Sequence, residues 1–393
     1  MVNDLTFNLK EEFNQIFGCL ALDAKTYFSP GRVNLIGEHI DYNGGLVFPA
    51  AINLGTYGVV HPRNDSTFRF FSLNFIEDGV IQVEINQLDY DQKHNWANYP
   101  KGIIFELISR NFKIPQGFDL LIYGTLPTAS GLSSSASLEL LTAWIANDLY
   151  QLNLSREYLA LLSQHVENIY MGMHCGIMDQ LVIAKGIKNR ALLMNTATLE
   201  TIDVPAKFKG YEWVIMNTNY KRKTTDSKYN ERRSECEKAL NLIREYKKID
   251  YLCELNENEL LELKPYFNDE KIYNRAMHAV TEQMRTILSQ HAMEQNDPLL
   301  FAKLLNESHE SLQHNYEVTG FQLDTIVSLA RKHGAIGSRV TGAGFGGCAI
   351  ALVPSEVLGD FHLLVGKDYF MLTGLKAEFY NITFENGVDI YVN

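Results

Sequence analysis

Residues 118–149 read FDLLIYGTLPTASGLSSSASLELLTAWIANDL. The apolar run FDLLIYG has the length and composition of a buried strand, and the small residues around Pro127–Gly131 end it in a turn. From Ser133 to Leu149 the apolar residues recur at helical spacing. A strand that turns on small side chains into a helix leaves backbone amides open at the helix N-terminus. With the helix dipole behind them, those amides favour a phosphate group. The hydroxyls of Ser133, Ser134 and Ser135 are placed to reach a metal or a phosphate oxygen. The G-x-x-x-x-G-K pattern of a Walker loop is absent. A serine N-cap on an ordinary helix fits the same residues equally well.

Working outward, strand-like runs at 45–60 and 79–85 precede this segment, and residues 97–112 have helical periodicity. A second amphipathic helix is expected from Ser155 to Met171. The pattern breaks over Val204–Gly210 before the strand EWVIMNT, which places a domain boundary there, with domains at 1–205 and 206–393. The second half is richer in helices, expected at 227–247, 276–294, 298–313 and 320–333, the last stopped by Gly334. An apolar strand, Cys348–Val353, follows. Strands and helices mix without strict βαβ alternation, so the expected class is α+β.

At roughly 150 residues per domain, 393 residues suggest two to three domains. Apolar residues make up 46% and charged residues 21%, which excludes disorder for most of the length. The net charge of −12 opposes nucleic acid and anionic membranes as partners but leaves room for a small basic site. The five cysteines are far apart and form no C-x-x-C pair, so neither a disulfide framework nor a zinc site fits. Residues 1–17 lack the features of a signal peptide, and the uncharged stretch Val340–Ser355 is too short and glycine-rich for a span. A soluble protein of the reducing cytoplasm is expected.

Two further segments carry chemistry. In Ser29–Gly45, SPGRVNLIGEHIDYNGG, the side chains of Arg32, Glu38, His39 and Asp41 crowd around an apolar run. Carboxylates and a histidine can hold vicinal sugar hydroxyls, and an arginine beside them suits a phosphoryl group in transfer. From composition alone, a turn stabilised by an Arg–Glu or Arg–Asp pair is favoured over a functional cluster. In Gly172–Gln180, GMHCGIMDQ, Asp179 stands among apolar residues. Such a carboxylate is either paired with a cation or functional. Glu167 lies at the helix end that the dipole disfavours, which a metal would rationalise; a solvated surface position is the alternative. The loop SRVTGAGFGGC (338–348) is by itself only a tight glycine-rich turn.

Together these segments resemble the GHMP small-molecule kinases and, within them, the galactokinase family. GRVNLIGEHIDYNGG is similar to that family's signature, LPTASGLSSSAS to the superfamily's phosphate loop, and SRVTGAGFGGC to its C-terminal glycine motif. GMHCGIMDQ and SKYNERR (227–233) add two more matches, in family order. The resemblance implies a bilobal fold, with a ribosomal-protein-S5-like N-terminal domain and a ferredoxin-like C-terminal domain. It implies ATP-dependent phosphorylation of the anomeric hydroxyl of α-D-galactose, the first step of the Leloir pathway, by a cytoplasmic monomer. By motif position, Asp179 is the expected base and Arg32 its partner and charge stabiliser. Glu38, His39, Asp41, the Gly176 backbone and Tyr229 would hold the sugar. Ala129, Ser130, Gly131, Leu132, Ser133, Ser134 and Ser135 would hold the ATP phosphates, and Trp96 would flank the adenine. Glu167 with Ser134 or Ser135 would hold Mg²⁺.

Four positions depart from the commonest family pattern: Ala129, Ser130, Ile40 and His174. The last leaves the C2–C3 side of the sugar pocket the least defined. Two rival readings are another GHMP sugar kinase and a catalytically silent sugar-and-ATP sensor. Sensors lose part of the serine–alanine stretch; here Ser135–Ala136 is intact, as are Arg32 and Asp179, which favours the enzyme.

Overall fold

The computed structural model describes residues 2–18, 23–127, 131–173, 175–220 and 225–392, without the side chains of residues 2–8 and 225–227. In the first half the chain forms α1 (Val2–Phe17), β1 (Lys25–Asn34), β2 (Leu46–Val47), β3 (Pro49–Pro62), β4 (Thr67–Ser72) and β5 (Ile81–Glu84). Then come α2 (Asn98–Ser109), β6 (Phe118–Gly124), α3 (Ser134–Leu149), α4 (Arg156–His165), α5 (Met178–Lys185), β7 (Arg190–Asn195) and β8 (Thr201–Pro205). The second half adds β9 (Tyr211–Asn217), α6 (Thr225–Arg244), α7 (Glu257–Leu263), α8 (Glu270–Glu294), α9 (Pro298–His314) and α10 (Phe321–Lys332). It closes with β10 (Gly337–Thr341), β11 (Cys348–Pro354), α11 (Leu358–Thr373), β12 (Glu378–Ile382) and β13 (Asp389–Ile390).

The first sheet has the order β13-β1-β3-β6-β4-β5, antiparallel except for the β4–β6 pair. Its register slips between Pro30 and Arg32, and such a bulge turns a side chain out of the strand's regular alternation. The second sheet, β10-β11-β9-β12, is wholly antiparallel. Its helices α10 and α11 complete the ferredoxin-like arrangement expected from the resemblance. The last strand, β13, returns to pair with β1, so the C-terminus closes the first sheet rather than the second.

The strand at 118–124 and the helix after it form where the periodicity predicts. Helix α3 buries residues on almost every side, among them Leu138, Leu140, Leu141, Ile145 and Ala146. A helix apolar all round belongs in a core, and α3 is the central helix of the first half. Ser137 anchors its first turn, donating to the Ser29 carbonyl at 2.8 Å and accepting from the Thr56 hydroxyl at 2.9 Å. A second apolar cluster joins the halves: Val33, Leu35 and Phe48 pack with Ile215, Ile350 and Phe301. Burial of such side chains contributes roughly 1.5–3 kcal/mol each, enough to fix the angle at which the halves meet.

The expected helix at 155–171 is α-helical only to His165; Val166–Tyr170 is a wider π turn. The π turn closes the helix, so no further apolar turn follows to show a phase shift, and the sequence alone reads straight through it. Among the described residues no helix is long and apolar enough to cross a membrane.

Candidate active site

Arg32 leaves the β1 bulge, and its side chain is 7% exposed. Its Nε donates to Asp179 Oδ1 at 2.7 Å, Nη2 to Asp179 Oδ2 at 2.8 Å, and Nη1 to the Gly131 carbonyl at 2.6 Å. Burial works against its charge, but the Asp179 carboxylate more than offsets this, and the guanidinium pKa is raised. The Arg–carboxylate pair that sequence left open inside 29–45 is therefore made across the molecule. Glu38 likewise finds no partner in its own turn. Its Oε1 accepts from the Gly342 amide at 2.7 Å and from Arg339 Nη2 at 3.2 Å.

Seven of the expected residues line one cavity of about 320 Å³: Arg32, Glu38, His39, Asp41, Gly176, Asp179 and Tyr229. Asp41 Oδ2 lies 2.6 Å from where a Cβ on Gly176 would stand, so only glycine allows this approach. Burial, with Asp179 and Glu38 nearby, pushes the Asp41 carboxyl up to about 7. Burial also pushes His39 down to about 3, so the ring is neutral. Its Nε2 meets the Ala343 carbonyl at 3.2 Å and its Nδ1 the Tyr42 hydroxyl at 2.8 Å. A carbonyl only accepts, so Nε2 carries the hydrogen and Tyr42 donates to Nδ1. The Tyr42 oxygen in turn meets the Tyr316 hydroxyl at 2.8 Å. Both ring nitrogens of His39 thus have protein partners, and the ring forms a wall of the cavity.

A second cavity has a volume of about 600 Å³. Trp96, Ser134 and Ser135 line it together with Thr56, Tyr90, Asn95 and Tyr99. Glu167 sits behind Ser135 on the π turn and is 5% exposed, which disposes of the solvated-surface reading. Its Oε1 accepts from Ser135 Oγ at 2.8 Å and its Oε2 from Gln180 Nε2 at 2.6 Å. Burial raises the Glu167 pKa, with Asp179 adding to the effect. π turns recur at functional sites because they re-aim one side chain within a helix.

The serine loop does not read as a simple cap. Ser133 precedes α3 with φ 61° and makes no side-chain bond to the helix; its hydroxyl donates to Asp179. Leu132 buries its side chain in the cluster between the halves, and its carbonyl accepts from the Arg32 amide at 3.3 Å. Ala129, Ser130 and His174 lie outside the described residues. Gly342, at φ +79°, brings the 338–348 loop against the serine loop: a Cβ there would lie 3.0 Å from the Gly131 carbonyl.

Sequence reasoning missed Tyr42, Tyr316, Cys175, Asn230 and Ala343 around the first cavity. Tyr42, Cys175, Asn230 and Ala343 lie inside segments already singled out and were within reach of a closer reading. Tyr316 carries no local signal at all.

Three family models match the chain. A galactokinase galactose-binding signature covers residues 11–62, the GHMP kinase N-terminal domain residues 98–186, and the GHMP kinase C-terminal domain residues 289–360. The galactokinase of Clostridium beijerinckii is 47% identical over 381 residues, 96% of this chain and 97% of its own. That of Enterococcus faecalis is 47% identical over 380 residues, 96% of this chain and 98% of its own. The crystal structure of Lactococcus lactis galactokinase complexed with galactose superposes with a TM-score of 0.94 at 43% identity, covering 98% of this chain and 100% of that one. Methanococcus jannaschii mevalonate kinase shares the fold, with a TM-score of 0.66 at 20% identity over 93% of this chain and 100% of its own.

Proposed function

The chain belongs to the galactokinase family of the GHMP kinases, and from that premise we propose a residue-level account of its reaction. It transfers the γ-phosphoryl group of ATP to the C1 hydroxyl of α-D-galactose, giving α-D-galactose 1-phosphate and ADP. One observation carries the account: Arg32 touches both the Asp179 carboxylate in the sugar cavity and the Gly131 carbonyl in the serine loop. The residue that stabilises the acceptor's base therefore also stands where the phosphoryl group must pass.

The C1 hydroxyl is a poor nucleophile at neutral pH, so a carboxylate acceptor for its proton is useful. Asp179 takes that role, and Arg32 pairs with its carboxylate and offsets charge on the group in transfer. Glu38, Asp41, Tyr229 and the Gly176 backbone hold the hydroxyls, with His39 as a rigid neutral wall. The serine loop from Ala129 to Ser135 receives the phosphates, Ser133 through its backbone amide alone because its hydroxyl is bonded to Asp179, with Trp96 beside the adenine. Holding both substrates in line supplies most of what phosphoryl transfer requires.

Mg²⁺ is assigned to Glu167 with Ser134 or Ser135. Among the described residues no set of three or more His, Cys, Asp or Glu could hold a metal alone. One buried carboxylate beside helix-terminal hydroxyls suits a hard cation that shares its sphere with phosphate oxygens and water. When bound, the ion neutralises charge on the nucleotide's terminal phosphates. The functional division falls near residue 205, with 206–393 contributing Tyr229, Gly342 and Ala343 to the sugar side. A cytoplasmic monomer completes the reading. An ADP-release assay over a panel of monosaccharides tests it: turnover is expected with galactose and not with glucose. Absence of turnover with galactose would overturn the assignment.

A further inference from the structure

Ser133 holds an unfavourable left-handed backbone for a residue with a Cβ, φ 61° and ψ 49°, yet uses its side chain for no helix cap. Its hydroxyl donates instead to Asp179 Oδ2. Arg32 Nη2 donates to the same oxygen at 2.8 Å, while among the described residues Oδ1 receives only Arg32 Nε, at 2.7 Å. A carboxylate oxygen accepts about two strong hydrogen bonds. Oδ2 is therefore saturated, and Oδ1 keeps one acceptor position.

We propose that Ser133 is a positioning residue that, by filling Oδ2, directs the galactose C1 hydroxyl onto Asp179 Oδ1. This rests on Asp179 being the base. The C1 O–H proton passes to Oδ1 as the C1 oxygen bonds the γ-phosphorus and the bond from that phosphorus to the β,γ-bridging oxygen breaks. ADP departs with that electron pair, and Asp179 returns its proton to solvent. A backbone strained at this one position is what aims the hydroxyl away from the helix and across to the sugar side.

Ser133→Gly separates the hydroxyl from the backbone, because glycine adopts the left-handed conformation freely. The expected result is a kcat roughly 10–100-fold lower, as for misplacement of a reacting group. The melting temperature should not fall, and calorimetric galactose affinity and the ATP KM should be unchanged. In an Asp179→Asn background the same substitution should cause no further loss. A wild-type kcat, or a raised ATP KM with kcat retained, overturns the proposal, the latter by making the hydroxyl a phosphate ligand. If the glycine variant does not fold, Ser133→Ala is judged by the same criteria. An inactive Asp179→Asn beside a fully active Ser133→Gly leaves the base in place and removes only Ser133. An active Asp179→Asn removes the base assignment and the proposal together.

Discussion

Arg32 and Asp179, 147 residues apart in sequence, meet in a two-pronged ion pair at 2.7 and 2.8 Å. A pair of this kind adds little stability over apolar replacements of similar volume. Its place is explained by chemistry: it joins a strand bulge to the first turn of α5, and both residues line the first cavity.

Asp179→Asn keeps the shape and loses both the proton acceptor and the counter-charge for Arg32. The expected fall in kcat is roughly 10²–10⁴-fold, the usual range for a general base. Circular dichroism should show the fold retained. Near-normal turnover in the purified variant would make Asp179 structural.

Glu167→Ala removes the acceptor of both Ser135 and Gln180. Gln180 is fully buried, and an orphaned donor there costs ~1–3 kcal/mol, so the melting temperature should drop. The Mg²⁺ concentration needed for half-maximal rate should rise, while galactose affinity measured without nucleotide stays constant. An unchanged Mg²⁺ requirement with weakened galactose binding would contradict the metal assignment.

The residues that carry these arguments differ in how far the sequence reveals them. The strand at 118–124 and α3 are legible because the apolar period changes between them within a few residues. Helix α11 is not, since Leu363, Phe370 and Met371 stay exposed and blur the one-sided stripe that marks a helix. The two-residue β13 is too short to show any pattern. At the site, Arg32, Asp41 and Asp179 stand out as polar groups in apolar settings. By contrast, the link from His39 through Tyr42 to Tyr316 spans 274 residues in its second step, and only folding reveals it. Arg339 is similar: its motif advertises glycines, yet the buried guanidinium donates to the carbonyls of Asn34 and Leu35 at 2.6 and 2.7 Å.

Asp41 gives the apo-protein a pH signature. Its folded pKa of about 7 lies above the ordinary carboxyl value of 3.8. The folded state therefore holds the proton more tightly, and the associated stability is lost as pH rises from about 4 through 7. His39 and His278, pushed down by burial to about 3 and 4, act in the opposite sense: they lower stability as pH falls below 6.5. Comparison with Asp41→Asn isolates the carboxyl. From pH 5 to pH 8 the wild-type melting temperature should decline relative to the variant's. Parallel curves would show that Asp41 titrates normally.

Discrimination between galactose and glucose turns on the C4 hydroxyl, the single centre at which they differ. Tyr229 lines the first cavity, its ring 5.6 Å from Tyr42 and 5.7 Å from His39. Burial raises its pKa well above the ordinary phenol value, with Asp41 adding to the effect, so the phenol keeps its hydrogen and can donate. Asp41, on the same cavity, can accept from two neighbouring hydroxyls. Together they can grip an axial C4 hydroxyl and be left unpaired by an equatorial one. Each unsatisfied group costs ~1–3 kcal/mol, and sites built to bond a hydroxyl reject analogues that cannot supply it. Tyr229→Phe should therefore narrow the galactose-to-glucose ratio of kcat/KM, and Asp41→Ala should remove activity toward both sugars. The ring contacts with Tyr42 and His39 survive in phenylalanine, so the melting temperature of Tyr229→Phe should be close to that of the wild type. An unchanged ratio at that stability would make Tyr229 a packing residue and shift discrimination to Asp41 and its neighbours.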